Sequence, residues 1–84
     1  MAKTHELKIF PEYYEAVAKG YKTFELRKDD REYQVGDGII LKEWDWEKEK
    51  FTGRQYEGII IYILRDCEMY GLKDGYCIFG FIRR

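Results

Sequence analysis

The chain contains no serine and no asparagine, one histidine, one proline and two cysteines among its 84 residues. Without serine there is no Ser-His-Asp nucleophile, and a Cys–His pair built on His5 has little support. One histidine and two cysteines cannot complete a four-ligand zinc site without carboxylates, and neither a CxxC nor an HxxxH spacing occurs. No metal and no cofactor is therefore expected. No apolar run approaches the ~18 residues of a membrane span. The stretch from Met1 to Ile9 is too polar for a secretory leader. A cytoplasmic protein with reduced Cys67 and Cys77 and no membrane partner is the plain expectation, although sequence alone leaves a disulfide between them open. Charge of one sign is also lacking: charged residues make up 37% of the chain, yet the formal net charge is -1. That excludes bulk electrostatic attraction to nucleic acid or an anionic membrane, so any anion site must be a local patch.

Aromatic residues, at 18%, are what the chain has in quantity. A chain this short buries only about 60–65% of its unfolded surface. Each buried Tyr, Phe or Trp removes about 150–250 Å² from water, so one domain spanning residues 1–84 can build its core without disulfide or metal. His5–Phe10 alternates as a short strand does, with Leu7 and Ile9 on one face. Pro11 opens a helix to Lys19, with Glu12 in the favoured first turn and Tyr13, Ala16 and Val17 at helical spacing. Gly20 stops it.

A second strand follows at once. Period-2 alternation sets Lys22, Phe24 and Leu26 on one face and Thr23, Glu25 and Arg27 on the other. The apolar pair is expected to take the core, with Ile39, Leu41 and Ile60. By parity Lys22 points with that pair, and the glycine turn before it lets its side chain swing toward Glu25. Lys28–Gln34 reads as a polar loop and Gly36-Asp37-Gly38 as a turn. Ile39–Trp46 is a strand, and Glu47–Lys50 a solvated hairpin tip that Gly53 helps to close. Tyr56–Leu64 is a longer strand, and its Ile59-Ile60-Ile61 run implies burial on both faces. Arg65–Gly75 is irregular with one helical turn, and Tyr76–Ile82 is the last strand. The fold class is α+β: a small barrel of about five strands, one helix after the first strand and a short helical turn before the last.

Gly20-x-Lys22-x-x-Glu25-x-Arg27 resembles the GxKxxExR motif of the ASCH family, whose fold is a PUA-like β-barrel. The likeness continues through His5, Leu7-Lys8-Ile9, Pro11, Tyr13-Tyr14, Val17, Lys28, Asp30-Arg31, Val35-Gly36-Asp37 and Glu43-Trp44-Asp45. It extends to Thr52-Gly53-Arg54 and Gly71-Leu72-Lys73-x-Gly75-Tyr76, so it covers nearly the whole chain. In detail it looks like a small, uncharacterised phage and bacterial branch. The resemblance implies a cleft floored by the motif strand and walled by the preceding helix, and an RNA-binding role by analogy with PUA domains. Some ASCH members hydrolyse acetylated cytidine, and ribonuclease activity has been ascribed to others. The amidohydrolase branch carries a Thr three residues after the Lys; here that position is Glu25, and its hydroxyl is missing.

Chemically, Arg27 offers a planar fork for phosphate or a base edge, Lys22 a mobile point charge, and Glu25 a carboxylate that can hold Arg27 or accept from an exocyclic amine. The Lys19–Arg31 segment carries a basic excess and the Glu43–Lys50 segment an acidic one. The expected ligand-binding set is Lys22, Glu25, Arg27, Lys28, Arg31, Lys8 and Trp44, with Trp44 as a stacking surface or as rim packing. The first expectation is an RNA-, nucleotide- or nucleoside-binding monomer. A metal-independent hydrolase using Lys22 and Glu25 as catalytic groups is the second, and a small regulatory protein that binds another protein the third.

Overall fold

The chain folds, in a computed structural model that describes residues 2–84, as a curled sheet with one helix. The strands are β1 (Thr4–Ile9), β2 (Phe24–Lys28), β3 (Gly38–Asp45), β4 (Lys50–Leu64) and β5 (Tyr76–Arg83). Helix α1 (Pro11–Ala18) follows β1, and a single 3-10 turn (Glu68–Tyr70) precedes β5. The sheet order is β1-β3-β4-β5-β2. Among the described residues only the β1–β3 pair is parallel.

The curl comes from β4, which pairs with β3 along its first part and with β5 along its second. Register shifts fall opposite Glu43 and at Ile61, and each bulge bends and twists the long strand. Gly53, at φ 96°, supplies the left-handed residue of the first. Asp45 closes the β3–β4 tip by accepting from the N–H groups of Glu47 and Lys48 at 3.0 and 3.1 Å. Gly53 thus shapes the bulge rather than the tip. The result is a five-stranded half-barrel, a small α+β barrel-like fold.

Its two outer strands, β1 and β2, do not share a ladder. Side chains bridge them instead. Arg27 Nη2 donates to the Lys8 carbonyl at 2.6 Å, and Arg31 Nη1 to the Glu6 carbonyl at 2.9 Å. Carbonyls two residues apart point to the same edge of a strand, so the two guanidinium groups cap consecutive open acceptors of β1.

Inside lie Leu7, Ile9, Ile39, Leu41, Ile60 and Phe79, with Tyr14 and Val17 of α1 set against them. Tyr33, in the loop after β2, is also fully buried, with its ring 5.0 Å from that of Phe79. Burial raises the pKa of its hydroxyl above the ordinary tyrosine range. His5 points inward too. Its Nε2 lies 2.8 Å from Asp37 Oδ2, and Asp37 also accepts from the N–H groups of Lys3 and Gln34. This network ties β1 to the turn before β3. Both cysteines are free and buried. Among the described residues no helix is long and apolar enough to cross a membrane.

Two expectations fail here. Phe24 and Leu26 are not core: they are 49% and 57% exposed, while Glu25 is 4% exposed. The strand is turned over because Glu25 pairs with Phe79 and Arg27 with Cys77, and side chains of paired residues share a face. Two cations neutralise Glu25, which makes an inward carboxylate tolerable and frees the apolar pair to face out. The Ile59-Ile60-Ile61 run is likewise buried on one face only, since Ile61 occupies the bulge and is exposed.

Candidate functional site

The turn between α1 and β2 positions the motif. The N–H groups of Tyr21 and Lys22 both donate to the Ala16 carbonyl, at 2.9 and 3.0 Å, after Gly20 adopts φ 79°. This folds the chain back over the end of the helix and sets the Lys22 side chain beside it. Lys22 Nζ donates to Glu25 Oε1, and Arg27 Nε donates to Glu25 Oε2 at 2.9 Å. Each carboxylate oxygen therefore meets one cation. The Lys22 ammonium also lies 5.6 Å from the Tyr13 ring centre and 5.3 Å from that of Phe24. At that range each ring attracts a cation by about 0.5–1 kcal/mol.

A groove of about 550 Å³ opens along the free edge of β2 beside α1, bordered by Lys8, Tyr13, Lys22, Phe24, Glu25 and Arg27, with Phe10, Leu26 and Lys28 at its margins. Its volume falls in the range of small-molecule sites, roughly 300–1,000 Å³. Because it follows a strand edge, residues from both faces of β2 reach it. Phe10, Tyr13 and Phe24 are each about half exposed there. The Arg27–Lys8 bridge separates this groove from a second, of about 450 Å³, lined by Glu6, Lys8, Arg27, Arg31, Lys42 and Phe51. There Lys42 Nζ donates to Glu6 at 2.9 Å, which holds the Glu6 carboxyl below its usual range.

Five of the seven expected site residues (Lys8, Lys22, Glu25, Arg27 and Lys28) thus border one groove. Arg31 borders the second. Trp44 borders neither: its ring carries the Lys8 ammonium at 3.9 Å and meets Phe51 edge-on. Sequence pattern did not mark Phe10, Tyr13 and Phe24 as groove walls. Tyr13 sits one residue before the buried Tyr14, and the helical spacing of Tyr13, Ala16 and Val17 does not mark Tyr14 as the buried one. Glu43 was missed as well. It is buried and accepts from Thr52 Oγ1 at 2.7 Å and from Arg54 Nε and Nη2 at 2.9 and 2.7 Å. The Arg54 guanidinium, helped by the Thr52 hydroxyl, outweighs burial, which alone would push the carboxyl up, and holds it below the usual range. Arg54 also reaches Glu15, so this cluster ties α1 to the bulged hairpin. Among the described residues no three His, Cys, Asp or Glu side chains converge as metal ligands do.

Residues 4–81, from the start of β1 into β5, match the model of the family described as "Domain of unknown function (DUF3850)". The chain belongs to that family. It is also similar to the "Uncharacterized 12.9 kDa protein in GpA 3'region" of Escherichia phage P2, with 47% identity over 60 residues. That alignment takes in 71% of this chain and 53% of the phage protein, so the match spans about half of that relative's length.

Proposed function

We propose that this domain binds RNA or a nucleotide in the groove between α1 and β2, as a PUA-like module of the ASCH type. One observation carries the reading: a buried carboxylate pinned by two cations lies in a small-molecule-sized groove rimmed by half-exposed aromatic rings. Tyr13, Phe24 and Phe10 supply apolar faces on which a base can stack, each worth about 1–3 kcal/mol. The Lys22–Glu25–Arg27 set supplies a polar edge with donors and an acceptor held in fixed positions. Lys28 and Lys8 have no carboxylate within ion-pair distance among the described residues, which leaves Lys28 for phosphate, while Lys8 can join it by leaving the Trp44 ring. The GxKxxExR spacing, the helix before the motif strand and the curled five-stranded sheet support the ASCH likeness.

Since the chain as a whole is slightly acidic, affinity has to come from this groove. Each phosphate contact contributes about −0.7 to the slope of log affinity against log salt, so two or three contacts give a slope of about −1.4 to −2.1. NMR titration with nucleosides, mononucleotides and short single-stranded RNA tests the reading, with product analysis of the same tubes to detect turnover by Lys22 or Glu25. Shifts should map to Tyr13, Lys22, Phe24 and Lys8. Tyr13→Ala should weaken binding about 10-fold or more, and changing Lys48 and Lys50 together at the hairpin tip should leave it unchanged. Equal losses from both changes would mean diffuse surface attraction, and the proposal would fail.

A further inference from the structure

The outer face of the sheet is divided. Over β1, β3 and the adjoining part of β4 it carries Glu6, Lys8, Lys42, Gln55 and Glu57, with the half-buried Ile40 between Glu6 and Glu57. Over the rest of β4, β5 and β2 it is apolar. Register places Leu26, Ile78 and Leu64 in one row, Phe24, Gly80 and Tyr62 in the next, and Ile82 with Ile59 in the third. Ile61 projects from the bulge between the last two rows. Phe24, Leu26, Ile61, Tyr62, Leu64 and Ile82 are between 41% and 66% exposed. Among the described residues nothing covers them, because α1 packs on the core side with Tyr14 and Val17.

We propose that this face is a homodimer interface, on which a second copy of the chain stacks sheet against sheet across a two-fold axis. Half-exposed side chains of this size present roughly 100 Å² each, so the six give on the order of 600 Å². That is at or beyond the largest apolar patch of a typical monomer, about 300–600 Å². With a polar rim it approaches the roughly 800 Å² that each partner contributes to a standard interface.

The pattern also suits self-association rather than a different partner. Gly80 leaves a gap at the centre of the middle row, flanked by Phe24 and Tyr62, where a facing sheet can approach closely. A Cβ there would meet only the Thr23 carbonyl, at 3.7 Å, so packing within the protomer does not demand the glycine. An axis across the strands at this row brings the Leu26–Ile78–Leu64 row of one copy over the Ile82–Ile59 row of the other, which is the self-complementarity a two-fold contact requires. It also turns the end bearing Lys28 and Tyr76 toward the end bearing Glu57 and Arg84, and sets Tyr76 and Arg84, at the two ends of β5, opposite one another, ring toward cation. Stacked sheets of this kind pack about 10 Å apart with strands nearly aligned. Phe24 and Leu26 also border the groove, so the second copy would stand beside its rim.

Sedimentation equilibrium and light scattering on the intact chain, across concentrations from low micromolar to near millimolar, test the proposal. The mass should rise from 10.2 kDa toward twice that value and stop there. Tyr62→Glu and Ile82→Lys are exposed substitutions that should leave circular dichroism and thermal midpoint of the dilute protein unchanged. Each should weaken dimerisation at least about 10-fold, as expected for a charge placed in an apolar interface. Gln55→Glu, on the polar half of the same face, should leave the association constant unchanged. A mass fixed at 10.2 kDa throughout, open-ended growth past the dimer, or dimerisation unaffected by both charged variants would each overturn it.

Discussion

Replacing Glu25 and Leu26 in turn tests the inverted strand. Glu25→Gln keeps the shape and removes the charge. The glutamine oxygen can still accept from one cation, while its amide group is turned toward the other. Breaking a fully buried pair in this way costs about 3–5 kcal/mol. Here the side chains of Lys22 and Arg27 are 19% and 24% exposed. They can regain part of their hydration, which lowers the expected cost to about 2–3 kcal/mol. For a domain of this size that is a drop of roughly 10–20 °C in the thermal midpoint. Leu26→Ala gives the contrast. A buried leucine would lose about 2–5 kcal/mol, but Leu26 is 57% exposed, so under about 1 kcal/mol is expected. Urea unfolding at low protein concentration, where any self-association is absent, measures both. If Leu26→Ala costs more than Glu25→Gln, the apolar pair faces the core and β2 is not inverted.

Three further outcomes follow from the buried groups and the bulge. Burial alone would raise the pKa of Asp37, but the His5 ring and the Lys3 and Gln34 N–H groups outweigh it and leave the carboxyl below its ordinary range. Its stabilising effect is therefore complete above the unfolded-state value of about 4 and is lost as pH falls through the lower folded value. In urea titrations, stability should fall below about pH 4, and Asp37→Asn should be less stable at neutral pH with a flatter acid limb. Gly53→Ala forces a left-handed alanine, at φ 96°, into open space. It should cost about 1–2 kcal/mol by denaturant unfolding and loosen the Thr52 and Arg54 contacts to Glu43. Burial pushes the Cys77 thiol up, so mass-resolved alkylation should leave Cys77 unmodified in the native protein and label it at the global unfolding rate. Rapid native labelling would contradict its placement.

Much of the element order was legible in the sequence because local signals carry it. Alternation in Leu7–Ile9, proline at the helix start, glycine at its end, and turn residues before β3 are all short-range, and each matches an observed boundary closely. Ile39, Leu41 and Ile60 could be assigned to the core for the same reason. The grouping of Lys22, Glu25 and Arg27 was legible too, since three residues of spacing and a glycine turn suffice to bring them together. The orientation of β2 was not. Alternation determines which residues share a face, but not which face meets the core, and the usual rule chooses the apolar one. Here the choice depended on pairing with Phe79 and Cys77, which come from the far end of the chain. It also depended on two cations being able to reach Glu25. Partners remote in sequence likewise decided that Tyr14 rather than Tyr13 is buried, that Asp37 meets His5, and that Arg27 and Arg31 bridge an open barrel seam. Local spacing settles which atoms can be neighbours along one element; only the closed tertiary contacts settle where a buried charge finds its compensation.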